Sequence, residues 1–184
     1  MATVILRPTS TTSYTGFNAD PYPNAADNNG ATSVSQSNVT CNWTAVLADL
    51  DSSLSGATIN SFTISMSANA GRAGACSSDM MLVHNSDGAF ASETESWTST
   101  VSTQTTTART TQQDGSSALT YTYINNCSVK IDPNAQGITL YELLVTVDYT
   151  AATGYGNIVN GVAAANIGKV NGVATADISK VNGV

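Results

Sequence analysis

The feature that most constrains this chain is period-two alternation, apolar then polar, in short runs separated by turn residues. Phe62-Thr63-Ile64-Ser65-Met66-Ser67-Ala68 sends its apolar side chains to one side of an extended backbone and its hydroxyls to the other. That is the pattern of a strand with one buried face. Leu119-Thr120-Tyr121-Thr122-Tyr123 reads the same way, and in 143–149 the residues Leu143, Val145, Val147 and Tyr149 share a face. Segments 3–6, 80–84 and 128–131 are further predicted strands. Turn chemistry such as Pro21-Tyr22-Pro23-Asn24 and Asp132-Pro133-Asn134 lies between them. Short strands at this spacing predict an all-β, mainly antiparallel sandwich or barrel and exclude a βαβ fold. Helical signal is thin. Val46, Leu47, Leu50 and Leu54 predict one short helix within 44–54, or a turn across the end of the sheets, and no other helix is expected. Segments 18–30 and 69–79 read as long loops, where binding surfaces usually sit.

Composition narrows the function. Only 10% of residues are charged, with Ser, Thr, Asn and Ala in their place, which suits sheets with a polar but uncharged outer face. The net charge of −7 and six scattered bases leave no electrostatic footprint for nucleic acid. No apolar run reaches the ~18 residues a membrane helix needs, so no membrane partner is expected. The opening Met1-Ala2-Thr3-Val4-Ile5-Leu6 reads as a first strand rather than a secretory leader. Cys41, Cys76 and Cys127 are an odd, widely spaced set, neither a disulfide framework nor a zinc pattern. Buried thiols are the expected state, with one bridge plus one free thiol as the alternative.

The end of the chain repeats itself. Val159-Asn160-Gly161-Val162 recurs as Val170-Asn171-Gly172-Val173 and Val181-Asn182-Gly183-Val184, each eleven residues on. The last two copies also share Ile167 with Ile178 and Lys169 with Lys180. This divides the chain into a body, 1–153, and a repeat tail, 154–184. An eleven-residue helical seam is one reading. Asn-Gly between valines is the stronger signal for turns joining extended segments, because Gly costs about 1 kcal/mol inside a helix. A tail of this kind is expected to dock on neighbouring copies.

Catalytic chemistry finds little footing. His84 is the single histidine, at the end of an apolar strand, and reads as structural. Glu93 and Glu95 share a strand face before Trp97 and read as a solvated face. Asp20, Asp27, Asn28 and Asn29 offer oxygen ligands without the order of an EF-hand loop. Neither an enzyme activity nor a metal or other cofactor is expected. Tyr14, Phe17, Tyr22, Trp43 and Trp97 lie in or beside loops, where aromatic rings with Asn and Asp are able to grip sugars. Tyr22 and Trp97 are the contacts that a glycan site would use.

Two parts of the chain resemble a known class. Ile5-Leu6-Arg7-Pro8-Thr9-Ser10, followed by Tyr14-Thr15-Gly16-Phe17, resembles the start of tailed-bacteriophage virion domains, and 140–149 is similar to their last strand. The tail is similar to the Lys-Val-Asn-Gly-Val repeats at the C-termini of phage structural proteins, here 169–173 and 180–184, with Ile158 where the first copy would have Lys. The resemblance implies a jelly-roll-like β-sandwich with the repeat as a short extension, and it brings no catalytic residues. It implies a structural virion protein that decorates or cements a capsid or forms part of a fibre or tail. Its partners would be itself, as a homo-oligomer of expected threefold symmetry, and other virion proteins at the particle surface. The alternatives are a receptor- or carbohydrate-binding module taking a cell-surface glycan, and a subunit of an extracellular filament.

Overall fold

The computed structural model describes residues 1–27, 32–35, 41–71, 75–133 and 137–151, and the backbone of 169–170 and 173–174. Eight strands carry the architecture: β1 (Ala2–Leu6), β4 (Asn42–Leu47), β5 (Thr58–Ala70), β6 (Cys76–His84), β8 (Glu93–Trp97), β9 (Ser102–Thr105), β10 (Cys127–Pro133) and β11 (Ile138–Thr150). They are joined by β2 (Pro8–Thr15), β3 (Val34–Ser35) and β7 (Gly88–Ala89), with short helices α1 (Tyr22–Ala25) and α2 (Tyr121–Asn125).

One sheet runs β1-β11-β5-β9 and the other β2-β4-β10-β6, with β7 and β8 both on β6; all pairings are antiparallel. Numbering the eight main strands in chain order, the sheets read 1-8-3-6 and 2-7-4-5. This is the interleaved order of a jelly roll, so the protein is an antiparallel jelly-roll β-sandwich. Alternation builds it. Ile64, Met66 and Ala68 of β5 and Leu143, Val145 and Val147 of β11 are all but fully buried. They face Trp43 and Ala45 of β4, Met80 and Leu82 of β6, and Val129 and Ile131 of β10 across one core. The outer faces carry Ser and Thr, as in the Ser65–Thr105 and Ser67–Thr103 hydroxyl pairs of 2.8 and 2.5 Å.

Four readings of the sequence need correcting. Segment 42–47 is strand, not helix: Trp43, Ala45 and Leu47 point inward while Val46 stands 38% exposed on the outer face. Only Ser52–Leu54 makes a 3-10 turn beyond it. Segment 121–125 is helix, not strand. The Thr120 hydroxyl accepts from the Tyr123 N–H at 3.1 Å, capping the first turn, and adjacent Tyr123 and Ile124 both enter the core, which a strand forbids. Thr120→Ala is therefore expected to lower stability by about 1 kcal/mol, read as a shift in the urea midpoint at unchanged slope. Segment 18–30 contains α1, whose Ala25 is fully buried. Segment 69–79 is mostly strand, since β5 runs to Ala70 and β6 begins at Cys76.

The three thiols are buried and none is disulfide-linked. Of the repeat, Lys169–Val170 and Val173–Ala174 form a small antiparallel pair, β12 and β13, with Val170 opposite Val173. That pairing is between two extended segments. Asn171, Gly172, Val159, Asn160, Gly161, Val162, Ile167, Ile178, Lys180, Val181, Asn182, Gly183 and Val184 lie outside the described residues.

Candidate functional site

The aromatic residues singled out by the sequence separate into two groups. Trp97, at the end of edge strand β8, is 1% exposed, and its Nε1 donates to the Ser102 carbonyl at 3.0 Å. It bridges β8 to β9 within the core and offers no face to a sugar. Trp43 is fully buried and Phe17 nearly so.

Around Trp43, however, the fold assembles a corner. Tyr14 stands opposite Trp43 in the β2–β4 ladder, so the two side chains share a face. β2 is the outermost strand, which leaves Tyr14 43% exposed while Trp43 is covered. The Trp43 Nε1 donates to Thr11 Oγ1 at 2.9 Å, and the Thr11 hydroxyl in turn donates to the Asp20 carboxylate. The same Asp20 oxygen accepts the Tyr22 N–H at 3.0 Å, which starts α1. α1 packs on β2 and β11 with Tyr22 half-buried against the core, and Asn24 Nδ2 donates to the Ser33 carbonyl at 2.7 Å. A buried indole thus holds a hydroxyl, the hydroxyl holds a carboxylate, and the carboxylate sets the loop carrying Tyr22 and Asn24. Of the two expected glycan contacts, the structure places Tyr22 at this corner and Trp97 at the opposite edge of the same sheet. Tyr14 was only one of five aromatic candidates in the sequence; Thr11 was missed, and its position three residues before Tyr14 on an edge strand was the available signal.

Two other constellations of polar side chains stand outside this corner. His84 stacks on Tyr123 with centroids 4.0 Å apart, near Ser86 and Asp87. Ser86 Oγ at 3.2 Å and Asp87 Oδ2 at 3.3 Å both meet Nδ1, the atom that the Ser86 and Asp87 N–H groups also approach. A nucleophile relay needs serine and carboxylate on opposite ring nitrogens, so this cluster is not arranged as one. At the far edge, Arg109 pairs with Glu93 at 2.9 Å over a shallow pocket lined by Phe62, Met80, Leu82 and Phe90. Glu93 also accepts the Thr107 N–H at 2.7 Å, so it is a half-buried latch and not a solvated residue. The pocket holds about 200 Å³ counting its open mouth, below the ~300 Å³ at which ligand sites begin. Among the described residues no group of three or more His, Cys, Asp or Glu side chains could hold a metal ion. No helix among them is long and apolar enough to cross a membrane.

The geometry defines an antiparallel jelly-roll β-sandwich with one polar, aromatic corner on an edge strand. The sequence matches no family model and no curated protein. Solved structures similar to the chain include the C-terminal CBM6 of LamC, a marine laminarinase from Zobellia galactanivorans, at TM-score 0.49 and 10% identity over 80% of this chain and 100% of that one. A carbohydrate-binding module from Cellvibrio mixtus lichenase 5A, in complex with cellotriose, gives 0.43 and 11% over 80% and 97%. The family 32 CBM from C. perfringens NanJ, in complex with galactose, gives 0.43 and 16% over 78% and 93%.

Proposed function

We propose that this protein is a non-catalytic recognition module that binds carbohydrate outside the cell at the corner formed by Tyr14, Asp20, Tyr22 and Asn24. The observation that carries the reading is Tyr14, a ring 43% exposed on the edge strand that also carries Thr11, whose hydroxyl holds the Asp20 carboxylate in place together with the Tyr22 N–H. A pyranose presents C–H groups on one face, which rest on an aromatic ring, and hydroxyls at its rim, which donate to a carboxylate and accept from an amide. Asp20 is already ordered by Thr11 and Tyr22, so little further ordering is needed on binding. The uncharged faces around it suit a neutral ligand.

Retention on a panel of immobilised neutral polysaccharides tests this. Tyr14→Ala is expected to weaken retention at least tenfold with the thermal midpoint nearly unchanged, because the ring is exposed. Retention of no glycan, or equal retention by Tyr14→Ala and Asp20→Ala, would remove the proposal.

A second reading, a structural subunit of a virus particle, is favoured by the Val-Asn-Gly-Val repeat at 159–162, 170–173 and 181–184 and by the paired extended segments Lys169–Val170 and Val173–Ala174. In it the sandwich is a rigid body and the tail docks it on neighbours. It predicts a defined oligomer for the full chain and a smaller species for a chain ending at residue 153.

A further inference from the structure

The four outermost strands of the sandwich are not equally protected. An unpaired strand edge invites pairing with another chain, and proteins blunt it with proline, bulges, inward charges or short length. β2 has Pro8 at its start and register shifts at Pro8/Ser10 and Thr11/Ser13. β8 places Glu93 and Glu95 on the face that carries Trp97. β9 is four residues long, and its flank is held by Trp97 on the Ser102 carbonyl. β1, five residues long, has no proline, bulge or inward charge. Ala2-Thr3-Val4-Ile5-Leu6 is uncharged, lacks proline and glycine, and pairs with β11 in unbroken register from Ala2–Tyr149 to Leu6–Val145. Among the described residues nothing pairs with its other side. Ile5, 52% exposed on its outer face, is one of the few large apolar side chains on this surface.

We propose that β1 is an acceptor edge, and that its occupant is an extended segment of the repeat tail of a second copy of this chain. Three observations select that occupant. The repeat is extended where it is described, at Lys169–Val170 and Val173–Ala174, and extended backbone is what an open edge takes. Charge is complementary: the tail has Lys169 and Lys180 against Asp177, net +1, whereas 1–153 holds the other four bases and twelve acids, net −8. The chain also leaves β11 at Thr150, beside the start of β1. A tail returning straight along its own β1 from there would run parallel to it, and parallel pairing is slightly less stable per residue than antiparallel. A tail from another copy has no such restriction and adds antiparallel, with main-chain hydrogen bonds for affinity and the valines of the repeat beside Ile5. The contact repeats head to tail, so it builds rings or filaments.

The test uses the full chain with Ile5→Cys and a second cysteine in place of Val162, Val170 or Val181 in turn, under mild oxidation, on a non-reducing gel. At least one pair is expected to give a ladder of dimers and higher species absent from controls that carry only one of the two introduced cysteines beside the three buried native thiols. A fast-migrating monomer linked within one chain, or no linkage for any pair, overturns the proposal. In sedimentation, Ile5→Lys is expected to weaken self-association at least tenfold; unchanged association, or a wild-type chain that is monomeric throughout, overturns it as well. Ile5 lies outside the Tyr14 corner, so retention on glycans is expected to be the same in every variant, and the two proposals fail separately.

Discussion

Replacing Trp97 by alanine is expected to remove about 3–5 kcal/mol of folding stability, the range for deleting a fully buried large aromatic. The side chain is 1% exposed and sits opposite Cys76 in the β6–β8 ladder, so it fills the core at the upper edge of the sandwich. Its Nε1–H reaches the Ser102 carbonyl at 3.0 Å, which ties β8 in one sheet to β9 in the other. The truncation leaves a cavity and strips that carbonyl of its donor, and the two costs act together. Trp97→Phe keeps most of the volume but not the bond, and is expected to cost about 1–3 kcal/mol. Urea unfolding at neutral pH separates the three proteins by midpoint. Sugar retention, corrected for the folded fraction, is expected to be unchanged in both variants. Loss of retention at full stability in Trp97→Ala would place this ring on the surface and contradict the packing of β8.

Trp97 also marks the limit of what the sequence could say. Alternation made β5 and β11 legible, because Ile64-Ser65-Met66 and Val145-Thr146-Val147 repeat a two-residue period over lengths that only a strand uses. Alternation misled at 119–123, where the apolar residues Leu119, Tyr121 and Tyr123 fit a strand. The deciding interaction there is a single hydroxyl, Thr120, caught by the Tyr123 N–H. It misled again at 44–54, where Leu47, Leu50 and Leu54 mimic a helical stripe although they come from β4, a loop and a 3-10 turn. Whether a tryptophan is core or platform depends on what crosses over it. Trp43 is covered by neighbours on both sides and Tyr14, opposite it, is not, because β2 is the last strand of its sheet. Sheet order comes from pairings between distant segments, and no local window carries it. The Thr11–Asp20 contact that shapes the candidate site is likewise made by a loop folding back on its own strand, nine residues apart.

Stability is expected to fall steeply with alkali, and the buried thiols set the window. Burial pushes the Cys127 thiol up to about 12 from an ordinary 9.0, with the Asp87 carboxylate adding to it. Burial does the same to Cys41, up to about 12, helped by Asp132. Cys76 and Tyr123 shift in the same direction, again through burial. Below pH 9 both thiols are protonated in the folded and the unfolded chain, and they leave stability independent of pH. Between 9 and 12 the unfolded chain releases protons that the folded chain retains, so folding weakens as pH rises. Each thiol contributes up to about 1.4 kcal/mol per pH unit, or about 4 kcal/mol across the window. Against a domain stability of about 5–15 kcal/mol, two such thiols are expected to lower the denaturant midpoint clearly as pH rises above 9. Guanidinium midpoints from pH 7 to 11 measure the slope. Cys127→Ala gives up a small side chain and the Sγ–H bond to the Tyr123 carbonyl at 3.3 Å, so it starts lower at pH 7 by about 1 kcal/mol. Its decline above pH 9 is nevertheless expected to be shallower than that of the wild type. Pairing it with Cys41→Ala flattens the decline further, down to what Cys76 and Tyr123 contribute. A double variant that declines as steeply as the wild type would mean that Cys41 and Cys127 ionise as readily in the fold as out of it, which their burial between the two sheets forbids.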